Sequence, residues 1–341
     1  MQASRIDRAP AVHEVRDDAT GLHGFIAIDD LTLGPAFGGC RFRPYPDTEA
    51  AVADARRLAS GMSLKNAIAG IPFGGGKAVI MQPRGEFDRS ALFESFGRAV
   101  DALGGLYVTA MDSGTETTDM DAIGRATRYV SGRSGAEGDP SPATALGMFR
   151  GMEAAVDCVL GRGDMDGLRV AIQGTGHVGA PLADRLADAG ARLLLSDAVP
   201  ARVEEVAART GGRVLPIDAI LAAPCDVLSP CGLGGVLDLE TVERLDCRMV
   251  AGAANNQLAT PEAGEQLARR GITYVPDFLL NAGGVIHAAL AWQGEDADRI
   301  RGRVEAIGPT VRGVLEEASE RNLLPVRVAL DQAREIIDRA R

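Results

Sequence analysis

Residues 167–197 read GLRVAIQGTGHVGAPLADRLADAGARLLLSD. The run RVAIQ has the short, apolar, β-branched character of a buried strand and leads straight into Gly174-Thr175-Gly176-His177-Val178-Gly179. An amphipathic helix follows to Ala189, and a second strand, ARLLLS, ends at Asp197. Three glycines alone carry little weight in a chain with 42 of them. Set between a strand and a helix and followed by a strand ending in an acid, they predict a dinucleotide-binding βαβ unit. Gly174 permits the tight turn, Gly176 lets backbone approach a pyrophosphate, and Gly179 allows close helix–strand packing. The pyrophosphate would rest on His177, Val178 and the free N–H groups of the helix start. Asp197 stands roughly 20 residues on, where a carboxylate accepts hydrogen bonds from the adenosine ribose and repels a 2′-phosphate. NAD is therefore expected over NADP.

Downstream, helix 200–210, strand GRVL, helix 216–223, strand DVLSP, helix 238–245, strand RMVAGAANN, helix 261–270 and strand TYVPD alternate. Such alternation implies a parallel sheet. Two amphipathic helices, 296–320 and 324–341, end the chain. Upstream, HEVRD, GFIAIDD and GGCRF read as strands. Asp47 or Thr48 caps a helix running to Lys65, and helix 88–103 precedes strand LYVTA. Between the halves, residues 131–142 (SGRSGAEGDPSP) are rich in Gly, Ser and Pro, the composition of a hinge. The expected fold is α/β with two domains. Residues 1–131 with 323–341 would form a mixed α/β catalytic domain, and 132–322 a Rossmann dinucleotide-binding domain.

A second informative stretch is SGMSLKNAIAGIPFGGGKAVIM, residues 60–81. It places Lys65, on the apolar stripe of its helix one turn past Met62, and Lys77, opening strand AVIM, on either side of an expected glycine turn. Lysines beside buried elements need a partner or a task, unless their stems pack and their heads reach water. A nucleotide P-loop is excluded, because Ile71 replaces its first glycine and Ala78 its hydroxyl. Asp112 lies just past the strand LYVTA, where open α/β sheets build sites; alone it reads equally as a turn aspartate. Thr144 near a helix start, Asn255 after a strand and Asn281 opening NAGG are open to capping or to function.

A formal charge of −11 argues against coating nucleic acid. No apolar run is long enough to span a membrane, and MQASRIDRAP lacks a signal-peptide core, so a cytoplasmic protein is expected. Five cysteines without C-x-x-C spacing and four scattered histidines give no expectation of a disulfide framework or a metal site.

These motifs, with LGPAFGGCR (33–41), VTAMDSGT, GDPSPATALG, SPCGLGG, AGAANNQL and NAGGVIHA, resemble the glutamate/leucine/phenylalanine/valine dehydrogenases, most of all the leucine branch. The resemblance spans nearly the whole chain. It implies two domains flanking a cleft, a homo-oligomer, and reversible NAD-linked oxidative deamination of an L-amino acid to a 2-oxo acid and ammonia. It implies Lys77 and Asp112 as catalytic residues. Lys65, Gly38, Gly39, Met62 and Asn281 would bind substrate, and Thr144 and Asn255 would hold the nicotinamide. Phe37, Ala110, Val285 and Ala288 would line the side-chain pocket. Phe37 brings no charge for a second carboxylate, which speaks against glutamate and, by volume, for branched aliphatic over aromatic side chains. The rival readings are an aromatic amino acid dehydrogenase, a 2-hydroxy acid dehydrogenase (generally built on a catalytic histidine) and a non-catalytic NAD-binding relative.

Overall fold

The structure, a computed structural model, describes residues 10–135 and 138–341. The N-terminal stretch 1–9, expected to lack a signal peptide, and Ala136–Glu137 within the expected hinge lie outside the described residues. In order the elements are β1 (Ala11–Asp17), β2 (Leu22–Asp30), β3 (Ala36–Arg43), α1 (Thr48–Ile68), β4 (Gly74–Met81), α2 (Arg89–Ala102), β5 (Tyr107–Met111) and α3 (Thr117–Gly124). Then come α4 (Ser141–Leu160), β6 (Arg169–Gln173), α5 (Gly179–Asp188), β7 (Arg192–Ser196), α6 (Pro200–Thr210), β8 (Arg213–Val214) and β9 (Val227–Pro230). The chain continues through α7 (Leu239–Arg244), β10 (Met249–Val250), α8 (Pro261–Arg269), β11 (Thr273–Tyr274), α9 (Asp277–Leu280) and α10 (Gly283–Trp292). Helices α11 (Ala297–Glu305), α12 (Ile307–Arg321) and α13 (Pro325–Ala340) complete it. None of the helices among the described residues is long and apolar enough to cross a membrane.

The chain forms two compact units. The first runs through Asp139 and takes in Ala288–Asp296 and Ala333–Arg341; the second is Pro140–His287 with Ala297–Gln332. The first unit thus includes a segment of α10 that composition did not mark. Ala288 O accepts from Ser131 Oγ at 3.0 Å and Arg128 O accepts from Trp292 Nε1 at 3.0 Å. Trp292 also meets Phe73 edge-on.

In the first unit the sheet order is β1-β2-β4-β3-β5, with β1, β2 and β4 antiparallel in turn and β3 parallel to both its neighbours. Alternation divides each strand between two apolar layers. Ala36, Cys40, Phe42, Ala78 and Ile80 join Leu92, Phe93 and Phe96 of α2, while Phe25, Ala27 and Val79 join Ala51, Ala55 and Ala59 of α1. Asp47 caps α1, its Oδ1 accepting from Ala50 N at 2.8 Å. Buried Asn66 ties the end of α1 to the sheet, Nδ2 donating to Phe37 O at 3.1 Å and Gly74 O at 2.7 Å.

The triglycine before Lys77 is not a turn. Gly74, Gly75 and Gly76 are the first residues of β4 and are fully covered. A Cβ on Gly75 would stand 2.1 Å from Ser63 Oγ, and one on Gly74 2.0 Å from Asp30 O. The glycines serve close approach of helix to sheet rather than backbone reversal.

The second unit holds a six-stranded parallel sheet, β11-β10-β9-β6-β7-β8. Strand order reverses between β6 and β9, which puts the loop after β6 at the topological switch point. Three expected elements differ. Residues 216–223 form only a short 3₁₀ turn, Ile220–Ala222. Strand RMVAGAANN ends at Val250, because the Gly252 and Ala254 carbonyls accept from Gln257 Nε2 at 2.7 and 3.0 Å instead of a neighbouring strand. Helix 296–320 is interrupted at Ala306; the ring of Pro309 would meet the Glu305 carbonyl of a continuous helix.

Candidate active site

Lys77 is the fourth residue of β4, and its side chain is 8% exposed. It lies on the α1 face with Val79, opposite Ala78 and Ile80, which join the α2 layer. Asp112 follows β5, two strands away in sheet order. Lys77 Nζ stands 3.2 Å from Asp112 Oδ2. Arg41 Nε donates to the same oxygen at 2.9 Å, and its Nη1 donates to Asp54 Oδ2 of α1 at 3.1 Å. Asp54 also accepts from Tyr45 OH at 2.7 Å and from Arg57 at 2.7 Å. Burial by itself would raise the Asp112 carboxyl. The charges of Lys77 and Arg41 and their hydrogen bonds outweigh it, so the group is held below its ordinary range and is a carboxylate at neutral pH. That makes it a proton acceptor.

The first unit also contains most of the expected substrate residues. Gly38 and Gly39 are covered residues of β3; a Cβ on Gly38 would lie 3.2 Å from Met62 Cγ, and one on Gly39 2.3 Å from Met111 O. Lys65, partly buried in the last turn of α1, follows Met62 by one turn on the same helix face. Ala110 and Ala288 are half-buried in this unit. Phe37 is 1% exposed, its ring centroid 5.2 Å from that of Phe73; it shapes the space about it as packed bulk rather than as open surface. Val285, Asn281, Asn255 and Thr144 belong to the second unit.

There the loop after β6 meets the requirements of a dinucleotide cradle. Gly174 has φ +95°, and a Cβ on it would press on Gly232 N at 2.8 Å. A Cβ on Gly179 would lie 1.9 Å from Gly174 O, whereas one on Gly176 would face open space with only Arg202 Nη1, at 3.8 Å, nearby. The open position is the one a pyrophosphate needs. His177, exposed, and Val178 form the turn into α5, which starts at Gly179. Asp197 follows β7. Its Oδ2 accepts from Thr175 N at 2.7 Å and its Oδ1 from Val199 N at 2.9 Å. Burial works against ionisation of Asp197, but these bonds and Arg202 outweigh it and lower the group. Asn281 Nδ2 donates to Asn255 Oδ1 at 2.8 Å and to Ala253 O at 2.9 Å, so these two asparagines act as one element. Thr144 lies in the first turn of α4, against Gly284, whose Cβ would come within 2.7 Å of its Oγ1.

Two family models match the chain: Glu/Leu/Phe/Val dehydrogenase, dimerisation domain, over residues 9–129, and Glutamate/Leucine/Phenylalanine/Valine dehydrogenase over residues 195–322. The chain belongs to the glutamate/leucine/phenylalanine/valine dehydrogenase family. It is 42% identical to the leucine dehydrogenase of Bacillus subtilis (strain 168), over 96% of this chain and 90% of that one. It is also 42% identical to the valine dehydrogenase of Streptomyces virginiae, over 92% and 89%. The crystal structure of L-tryptophan dehydrogenase from Nostoc punctiforme superposes with a TM-score of 0.87 at 36% identity, covering 97% of this chain and 96% of that one.

In this dehydrogenase Arg41 is the residue that sequence reading passed over. Its signal was alternation: Cys40 and Phe42 pack into the α2 layer, which leaves Arg41 on the α1 face. It does not belong to the list of groups expected to touch substrate; it is a positioning residue for Asp112. Of the charged groups facing that carboxylate, Lys77 comes from β4 and Arg41 from β3. Arg41→Met is expected to lower kcat by about 10- to 100-fold and to move the acid limb of kcat/KM upward, with Arg41→Lys restoring part of both. The sign follows from the pairing. A depressed carboxyl contributes stability above its unfolded pKa of about 3.9 and loses it as pH falls through the folded value. Removing a cation moves that folded value up. An unchanged pH profile in Arg41→Met would assign Arg41 to packing alone.

Proposed function

We propose that the protein catalyses the reversible, NAD-linked oxidative deamination of branched aliphatic L-amino acids to the 2-oxo acid and ammonia. The observation that carries this reading is the Lys77–Asp112 pair, 3.2 Å apart with side chains 8% and 19% exposed, in the same unit as glycine-lined β3 and Lys65. Asp112, ionised, takes a proton from the substrate ammonium, which frees the nitrogen lone pair to form the imine as hydride leaves the α-carbon. The bound dinucleotide supplies the acceptor for that hydride. Lys77 holds and polarises the water that attacks the imine carbon, and in reverse it polarises the oxo-acid carbonyl. Lys65 and the Gly38–Gly39 backbone take the substrate carboxylate. Gly174, Gly176, His177, Val178, Gly179 and Asp197 are assigned to the dinucleotide, and Thr144 and Asn255 to its nicotinamide. The lowered Asp197 carboxylate favours NAD. A cytoplasmic location and a homo-oligomer belong to the same proposal, the oligomer supported by the match to a dimerisation-domain model over residues 9–129.

Side-chain preference is supported by the apolar, uncharged set Phe37, Ala110, Val285 and Ala288, and by likeness to proteins named leucine and valine dehydrogenase. The second reading, an aromatic substrate, is favoured by the likeness to a tryptophan dehydrogenase. A panel of kcat/KM values for leucine, valine, isoleucine, methionine, phenylalanine and tryptophan, with 2-hydroxy acids as controls, separates them. The aliphatic trio is expected to lead and to lie close together, because one methylene discriminates by only about 1–3 kcal/mol. A lead for phenylalanine or tryptophan installs the second reading, and turnover of hydroxy acids alone removes both. Phe37→Leu, milder than the roughly 3–5 kcal/mol loss of a core Phe→Ala, should shift preference toward larger side chains. No shift would take Phe37 out of the pocket.

A further inference from the structure

Asp197 discriminates against a 2′-phosphate only if the phosphate meets its negative charge, and the structure qualifies that encounter. The Asp197 side chain is 6% exposed, and both its oxygens already accept protein donors: Thr175 N on Oδ2 and Val199 N on Oδ1. What stands outside it is Arg202. Its side chain is half exposed, with Nη1 3.5 Å from Asp197 Oδ1 and 3.8 Å from the place a Cβ would take on Gly176. The guanidinium therefore lies between the buried carboxylate and the open space over the glycine loop. Arg202 also occupies the first turn of α6, where the helix dipole disfavours a cation and favours an anion. Its ion pair among the described residues is with Asp197, and a phosphate would be drawn by guanidinium and helix end together.

We propose that Arg202 is a latent binding residue for the 2′-phosphate of a phosphorylated dinucleotide, engaged by Asp197 and released when that charge is removed. The proposal rests on the dinucleotide reading of this loop. Preference between NAD and NADP then depends on the pair and not on the acid alone. Removing the Asp197 charge should do more than relieve repulsion, because a preplaced arginine becomes available for bidentate contact with phosphate.

The test uses the full-length protein and its Asp197→Asn, Arg202→Ala, Arg202→Lys and Asp197→Asn/Arg202→Ala variants. Asparagine is chosen because it keeps the size of the side chain and one acceptor oxygen for the Thr175 N–H, giving up only the bond from the Val199 N–H. Calorimetric titration with 2′,5′-ADP and with 5′-ADP reads binding without turnover, and kcat/KM for NAD and NADP reads it with turnover. Asp197→Asn is expected to tighten 2′,5′-ADP by at least about 10-fold, and the double variant to lose that gain. In the Asp197→Asn background, adding Arg202→Ala should weaken 2′,5′-ADP by more than it weakens 5′-ADP, whereas on the parent, where Asp197 holds the arginine, Arg202→Ala and Arg202→Lys should change the two nucleotides alike. A gain that persists in the double variant overturns the proposal. So does an equal loss of both nucleotides when Arg202→Ala is added to Asp197→Asn, which would assign the arginine to the pyrophosphate. If the parent binds neither nucleotide, the dinucleotide reading falls and takes this inference with it. If it binds 5′-ADP normally and Arg202 makes no difference in the Asp197→Asn background, only the inference falls.

Discussion

Lys77→Ala is expected to lower kcat by about 10²- to 10⁴-fold while NADH still binds within a few-fold of the parent value. The size follows from what the ammonium does and where it sits. Its side chain is 8% exposed, at hydrogen-bond distance from an ionised carboxylate, so no bulk-water cation can replace it without reopening that place. In the proposed mechanism it orients water toward the imine carbon, an interaction made only as the reaction proceeds, so kcat should fall rather than KM rise. The dinucleotide loop is carried by the second unit, on β6 and α5, which is why cofactor binding should survive. Lys65→Ala offers the internal contrast: a residue assigned to the substrate carboxylate should act chiefly on KM. The measurement is steady-state kinetics with leucine, paired with nicotinamide fluorescence for NADH binding. Near-parental turnover in Lys77→Ala would dismiss the mechanism, and a parallel collapse of NADH binding would mark a folding defect instead.

The ease with which these parts could be read from sequence followed from how local their physics is. The glycine loop was legible because each glycine answers a separate local demand: positive φ at Gly174, open space at Gly176, and contact with Gly174 O at Gly179. Asp47 was legible as a cap for the same reason, accepting from the Ala50 N–H three residues on. The triglycine misled because glycine before a strand reads as a turn, and only the approach of Ser63 on α1 shows why side chains are excluded there. The Asp112–Arg41–Asp54 chain was hidden because its members come from β5's end, β3 and α1, and no period within any one of them encodes the contact. The same is true of the Asn255–Asn281 bond. Resemblance to a family marked the residues; geometry shows which of them touch.

Asp112→Asn should be nearly as damaging to turnover as the loss of Lys77, and more damaging to the fold. The amide is the same size but accepts no proton near neutral pH, so in the proposed mechanism the step that frees the substrate nitrogen loses its base and kcat should drop by about 10²- to 10⁴-fold. Raising the pH should not restore it, because no titration returns the charge. Stability suffers separately. Lys77 Nζ and Arg41 Nε both rest on Asp112 Oδ2, at 3.2 and 2.9 Å, with side chains 8% and 15% exposed. Replacing the carboxylate leaves two neighbouring cations facing a neutral dipole. Breaking one partner out of a buried pair costs about 3–5 kcal/mol, and Arg41 keeps Asp54, so the lower end of that range is expected. Urea unfolding should show it as an earlier midpoint with an unchanged slope. The two effects have different remedies, which gives the prediction its edge. Adding Lys77→Met should recover stability by removing the uncompensated charge, yet leave turnover at the floor, because two residues acting on one reaction do not add. Full turnover in Asp112→Asn would transfer the base to another group. A stable Asp112→Asn with no shift in midpoint would mean the pair is solvated in solution and not a buried ion pair at all.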